Sequence, residues 1–323
     1  MRKILKNVGR GVLVFVLVLL VVKIWADRTY FDNYDPDLPF NAQVSERELM
    51  DGEIELFGLS RPCRFEKEAF VIDARPNEPV PSVLTFPLDR DGKIPVIIFV
   101  HGGGMDKSFI EQVGTPFNEA GFAMASFDQA SVGAREIQGC PLRQAYGFRQ
   151  LPWKVVNDTR RLIDYLQTHP EIDPERIYLV GASFGAVTGA TVIARDDRIR
   201  AACLIVGGAN IPVLVNAPAL REAVGNRALH WLAKHLFTFV MNPADPIHYA
   251  AQTEGVPILM QNADRDTLVT PEAGKELYKA LGEPKEIRWY PCDHPGMYEE
   301  EVPVVEQILD EALAWLLEQD RSA

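Results

Sequence analysis

The chain has 323 residues, 47% of them hydrophobic, which is enough apolar side chain for a large core and too much for a disordered segment. Its net charge of −12, without any basic stripe, excludes a partner gripped through its phosphates, because that grip draws on clustered Lys and Arg. No nucleic-acid partner is expected.

At the N-terminus, Arg2, Lys3, Lys6 and Arg10 precede an unbroken apolar run over 11–22, followed by Lys23, Ile24, Trp25 and Ala26. No small-x-small cleavage site follows the run. A helix over 4–25 spans a hydrocarbon layer of roughly 30 Å if Lys6, Arg10 and Lys23 snorkel outward, with Trp25 at the far interface. Residues 1–26 are therefore expected to form an uncleaved anchor in a lipid bilayer, basic end in the cytoplasm and the remaining chain extracytoplasmic. A signal peptide removed to release a secreted protein is the alternative, and either reading exports the domain. Residues 27–59, rich in Asp, Pro and Asn, read as a tether and lead-in.

From about residue 60 to 323 short apolar runs alternate with longer amphipathic stretches, the pattern of strands joined by helices across a parallel sheet. Runs at 68–73 and 82–86 read as antiparallel strands. Runs at 94–100, 122–127, 177–180, 201–206, 256–261 and 287–290 read as six parallel core strands, eight strands in all. Helices are expected over 107–120, 152–168, 184–195, 272–282 and 300–318, with Thr270 capping the fourth and Pro271 at its first position. Between 208 and 246 the chain makes an excursion too long for an ordinary loop, with helical stretches at 219–224 and 226–240. A small helical cap is expected there, walling a pocket at the carboxyl ends of the strands, with a helical pair that merely extends the core as the alternative.

Cys203 lies in an apolar run and reads as a buried thiol, whereas Cys63, Cys140 and Cys292 fall near loops where one pair is open to form. No Cys/His cluster suggests a metal site.

The chemistry concentrates where strands end. Gly181-Ala182-Ser183-Phe184-Gly185 follows the apolar run at 177–180 and precedes an Ala/Gly-rich helical segment, so Ser183 sits on a sharp strand-to-helix turn that holds a nucleophile clear of the backbone. A hydroxyl nucleophile needs a base, and the base needs orientation. Beyond the next two strands come Asp266, with Asp264 and Asp293 as competitors for the acid, and His294. In the order Ser183, Asp266, His294, the imidazole takes and returns a proton while the carboxylate holds its tautomer. Val96-Ile97-Ile98-Phe99-Val100 runs into His101-Gly102-Gly103-Gly104, whose glycines let backbone N–H groups approach an oxyanion, and Phe184 adds an amide at the helix start. Gly103, Gly104 and Phe184 are the expected donors, with His101 pinning the loop. His230, His235 and His248 have no ligand-spaced partners and read as packing or surface residues.

Together the glycine triplet, the elbow, Asp266-Thr267-Leu268-Val269 and His294-Pro295-Gly296 resemble the α/β-hydrolase superfamily over roughly residues 60–318. Asp158-Thr159-Arg160-Arg161-Leu162-Ile163-Asp164-Tyr165-Leu166 and Ile172-Asp173-Pro174-Glu175-Arg176-Ile177-Tyr178 are similar to dienelactone hydrolases, acetyl xylan esterases and prolyl-oligopeptidase-type catalytic domains. The resemblance implies an α/β-hydrolase fold, with a mostly parallel eight-stranded sheet, and serine hydrolysis of a small-molecule carboxylic ester without a cofactor. It also implies that 127–135 is the loop after the strand flanking the oxyanion segment, where Asp128 and Arg135 touch substrate or hold the loop as a mutual ion pair. A peptidase or amidase on the same machinery, and a noncatalytic binding protein on the same fold, are the rivals. Acyl group, alcohol and oligomeric state are not readable from the chain.

Overall fold

In a computed structural model of the protein, residues 17–18, 20–56, 59–296 and 301–322 are described. Ten strands form one sheet among them: β1 (Gln43–Val44), β2 (Glu48–Leu56), β3 (Leu59–Arg75), β4 (Glu78–Phe86), β5 (Ile94–Val100), β6 (Ala123–Phe127), β7 (Ile172–Ala182), β8 (Ile199–Ile205), β9 (Ile258–Ala263) and β10 (Lys285–Tyr290). The order is β1-β3-β4-β6-β5-β7-β8-β9-β10, with β2 pairing β3. Pairings among β5 to β10 are parallel, and β1 to β4 add on antiparallel. Eight strands were expected, and the additional β1 and β2 come from the lead-in.

The central strands are buried on both faces, as a parallel sheet requires. All seven residues of β5 are buried. Ile94, Val96, Ile98 and Val100 join one core cluster while Ile97 and Phe99 join the other, the two-residue alternation of a strand between two layers. One layer holds α3 (Pro141–Thr168), α4 (Phe184–Arg195) and the buried face of α8 (Pro271–Ala280). The other holds α1 (Phe109–Val113), α2 (Thr115–Glu119) and α9 (Val302–Arg321). Between β8 and β9 lie α5 (Ile211–Leu214), α6 (Pro218–Val224) and α7 (Arg227–Met241), followed by three short 3-10 turns.

Three expectations are corrected. The lead-in is not a free tether: Tyr30 and Phe31 are buried, Phe31 meets Tyr249 edge-on at 5.3 Å, and β1 and β2 both pair with β3. Its anchors are isolated residues whose partners lie far along the chain, so no local periodicity marks them. The helix expected over 107–120 is two helices meeting at Gly114, with Pro116 starting the second. A Cβ at Gly114 would sit 2.4 Å from the Ile110 carbonyl oxygen, so the close turn needs glycine. The helix expected from 152 begins at Pro141, with Pro152 inside it. Its opening turns carry exposed Leu142, Tyr146 and Phe148.

The expected anchor falls mostly outside the described residues. Residues 20–28 are helical, and among the described residues no helix is long and apolar enough to cross a membrane. All four cysteines are free, so the pair left open is not formed.

Candidate active site

Parallel register decides which residues meet. Val100 pairs with Gly181, Gly181 with Leu204, Leu204 with Met260 and Met260 with Ile287, so β5, β7, β8, β9 and β10 end at one edge. The glycine triplet, Ser183, Asp266 and His294 all follow those ends.

Ser183 stands at φ 52° and ψ −115°, a region that costs a non-glycine residue roughly 1–3 kcal/mol. Its N–H is held by the Ile205 carbonyl at 2.8 Å, and its own carbonyl accepts from Ala186 and Val187 as α4 starts. The flanking glycines are steric necessities. A Cβ at Gly185 would lie 1.8 Å from the Val100 oxygen, and one at Gly181 would lie 2.5 Å from the Gly185 oxygen.

Ser183 Oγ lies 3.0 Å from His294 Nε2, and His294 Nδ1 lies 2.7 Å from Asp266 Oδ2. Asp266 is buried, and its other oxygen accepts the Leu268 and Val269 amides at 2.8 and 2.7 Å, which fixes the carboxylate plane. The competitors stand elsewhere. Asp264 is exposed and faces Arg265 at 3.6 Å. Asp293 accepts the Thr267 and His294 amides and the Thr267 hydroxyl. Burial works to raise the Asp293 carboxyl, but those hydrogen bonds outweigh it and hold the group below its ordinary range. Its carboxylate ties the loop of Asp266 to the loop of His294.

The triplet is pinned from behind. His101 is buried, with Nδ1 2.9 Å from the Gly102 carbonyl and Nε2 3.2 Å from that of Phe127, and Gln129 Nε2 donates to the His101 carbonyl at 2.6 Å. Burial pushes the imidazole below its ordinary pKa against the pull of those carbonyls. Gly103 borders Ser183 in two cavities, whereas Gly104, at φ +81°, lines neither. Gly102, which was not among the candidates, lies closer: a Cβ there would sit 3.2 Å from Ser183 Cβ. The Phe184 amide opens α4, where no preceding helical carbonyl can accept it.

Two apolar cavities flank the serine and histidine. The larger, about 540 Å³, is walled by Phe148 and Leu151 of α3, Leu214, Leu220, Phe237 and Met241 of the excursion, and Leu268. The smaller, about 150 Å³, lies between Met105, Phe109, Val206 and the start of α9.

Asp128 and Arg135 do not pair side chain to side chain. Asp128 takes the Lys107 ammonium at 2.9 Å, while Arg135 binds Asp158 at 2.7 Å and Glu78 at 3.0 Å and reaches only the backbone carbonyl of Asp128. Both hold loops and neither lines a cavity described above. In the excursion His230 faces the Val215 carbonyl and His235 that of Trp231, and the described residues hold no cluster of metal-ligating side chains. Sequence reasoning passed over Asp245. Buried, it accepts the Asn210 and Ile211 amides at 3.0 and 2.6 Å and that of Ile247 at 3.2 Å, pinning both ends of the excursion together. Asp before Pro246 after a long helix was the available signal.

This sheet order, with a sharp serine turn after a central strand, defines an α/β-hydrolase architecture. The chain belongs to the alpha/beta hydrolase family, whose model matches residues 97–316. YtaP of Bacillus subtilis (strain 168) is 24% identical over 186 residues, covering 52% of this chain and 62% of that protein. The lasso peptide isopeptidase AtxE2 of Asticcacaulis excentricus is 26% identical over 242 residues, covering 70% of this chain and 32% of that protein. The chain thus spans less than two thirds of these relatives. Acetyl xylan esterase 1 from Thermoanaerobacterium sp. JW/SL YS485 superposes with a TM-score of 0.60 at 17% identity, over 89% of this chain and 93% of that one, and shares the fold. Esterases and peptidases both occur among the neighbours, and hydrolysis is the chemistry common to them.

Proposed function

We propose that this protein is a serine hydrolase that cleaves a carboxylic ester through an acyl-enzyme on Ser183. The observation that carries this reading is the continuous relay from Asp266 Oδ2 to His294 Nδ1 at 2.7 Å and from His294 Nε2 to Ser183 Oγ at 3.0 Å. His294 accepts the Ser183 proton as Oγ attacks the ester carbonyl, and Asp266 stabilises the imidazolium so formed. The Gly103, Gly104 and Phe184 amides receive the oxyanion. Collapse breaks the ester C–O bond, the alcohol leaves with the proton from His294, and water repeats the sequence to free the acid and Ser183. No cofactor or metal enters these steps.

The cavity wall supports an ester of an apolar acid, since among the described residues its lining is mostly apolar and contains no Asp, Glu, Lys or Arg. Amide cleavage is the second reading, supported by the likeness to an isopeptidase. We assign the protein to a membrane through residues 1–26, with the hydrolase domain extracytoplasmic, on the strength of the basic-then-apolar N-terminal sequence.

The full chain in detergent should hydrolyse p-nitrophenyl esters faster than matched anilides and label with a fluorophosphonate, and Ser183→Ala should abolish both. Labelling that survives in Ser183→Ala places the nucleophile elsewhere. A faster anilide reaction establishes the amidase reading.

A further inference from the structure

The helix α7 is apolar on two opposite faces. Phe237 and Met241 wall the large cavity and His230 is held to the Val215 carbonyl, so that side looks inward. Leu229, Leu232, Leu236 and Phe239, spaced three and four apart, make a second stripe that faces outward, with Trp231 beside it 62% exposed. An apolar outer stripe along most of a fifteen-residue helix is costly in water and calls for a cover.

The surroundings say which cover. In a chain of net charge −12, α7 carries Arg227 and Lys234 and no Asp or Glu. The opening turns of α3 repeat the combination: Leu142 is 83% exposed and Tyr146 is exposed, Arg143 stands between them, and the first acid of that helix is Asp158. The two patches adjoin, since Phe148 of α3 meets Phe237 of α7 at 5.9 Å. The helical stretch 20–28 also lies on this side, with Lys23 Nζ 4.3 Å from the Phe239 ring and Asp27 paired to Arg149 of α3. That stretch continues directly from the apolar run 11–22, and its Val21 and Trp25 are exposed. The apolar stripe, the acid-free opening turns of α3 with Arg143, and the end of the apolar N-terminal run thus lie on one side of an otherwise acidic molecule.

We propose that the outer stripe of α7 and the opening turns of α3 dock on the surface of an anionic lipid bilayer, and that the large cavity draws its apolar ester from that lipid phase. Phe237 and Leu236 are consecutive, so one helix separates bilayer from cavity. Arg143, between the exposed Leu142 and Tyr146, faces the anionic headgroups while the stripe sits at the acyl boundary. The second half of the proposal rests on the ester-hydrolase reading, and the first does not.

The test uses the full chain carrying Cys140→Ser, which removes the exposed thiol, and Leu232→Cys to bear an environment-sensitive fluorophore. It is reconstituted into vesicles of phosphatidylethanolamine and phosphatidylglycerol, with the same label at Glu53→Cys on β2 as the reference. Doxyl groups on the lipid chains should quench the probe at 232 several-fold more than at 53, and less strongly in pure phosphatidylcholine. Equal quenching at the two sites overturns docking, as does intermolecular cross-linking through position 232 without lipid quenching, which would mean a second copy covers the stripe. Insensitivity to headgroup charge overturns the anionic assignment.

Leu232→Glu with Leu236→Glu, neither of which lines a cavity, should lower hydrolysis of a long-chain ester dispersed in the vesicles about tenfold and leave a water-soluble short ester unaffected. An unchanged rate on the vesicle ester overturns delivery from the lipid phase. Absence of any ester hydrolysis in the parent protein sinks the hydrolase reading, while the quenching measurement still decides docking.

Discussion

At the scale of single residues, the site depends on close backbone approaches that leave no room for a side chain. Gly185→Ala would put a methyl group 1.8 Å from the Val100 oxygen, so β5 and the start of α4 must part. The variant is expected to lose fluorophosphonate labelling together with cooperative unfolding, as followed by circular dichroism. The two neighbouring acids give a sharper contrast. Asp266→Asn leaves His294 Nδ1 facing an amide, and hydrolysis should fall by on the order of 10³–10⁴-fold. Asp264→Asn alters an exposed side chain outside the relay and should keep kcat/KM within about twofold. Both rates come from the same p-nitrophenyl ester assay, and an inverted order would exchange the roles of the two acids.

At the scale of elements, the segment between β8 and β9 shapes what reaches the serine. Asp245 satisfies three amides at its two ends. Asp245→Ala leaves those donors buried and unpaired, at a cost of about 1–3 kcal/mol. The expected results are a lower denaturation midpoint and faster proteolytic cutting between 208 and 246. Phe237→Ala widens the large cavity and removes one of its walls. The ratio of long-acyl to short-acyl ester turnover should fall severalfold, while the fluorophosphonate rate, which reports Ser183 itself, holds. Equal loss on short and long esters would show that α7 acts on the serine and not on substrate length.

At the scale of the whole molecule, the lead-in is bound to the domain by charge as well as by strands. Arg47, in the turn between β1 and β2, pairs with Glu68 of β3 and with Glu171 before β7, and Arg90 joins Glu171 and Glu66. The hydrogen bond from Arg47 lowers the Glu171 carboxyl from 4.5 to about 2, against the opposing effect of burial. A carboxylate held below its unfolded value stabilises the fold fully above that value, and the contribution disappears as pH falls through the folded one. Stability should therefore drop between pH 4.5 and about 2. Glu171→Gln should flatten that part of the profile of denaturation midpoint against pH, modestly because the pair is partly solvated. An unchanged slope would assign the acid lability to other carboxylates.

Much of this was legible along the chain. The central strands β5 and β6 are buried at every position and stand out as apolar runs, because burial on both faces leaves little polar to blur the pattern, whereas β7 and β10 carry charged residues near their starts that the runs at 177–180 and 287–290 left out. Ser183, Asp266 and His294 each follow the end of a parallel strand, and parallel strands ending at one edge make their convergence predictable. The edge strands β1 and β2 were not legible, since both are mostly exposed and β2 shows no alternation. Nor was the start of α3, where Pro152 reads as a first helical position although it lies inside the helix.

The sequence by itself determined the fold class, the order of the three candidate catalytic side chains and the steric need for glycine beside Ser183, because these depend on local pattern and chain order. Only the tertiary structure decided which aspartate meets the imidazole, which glycine borders the serine, how the lead-in is held, and that α7 has apolar faces toward both cavity and surface. Those outcomes turn on distances between segments remote along the chain, and no local property of a residue encodes the direction in which a loop presents it.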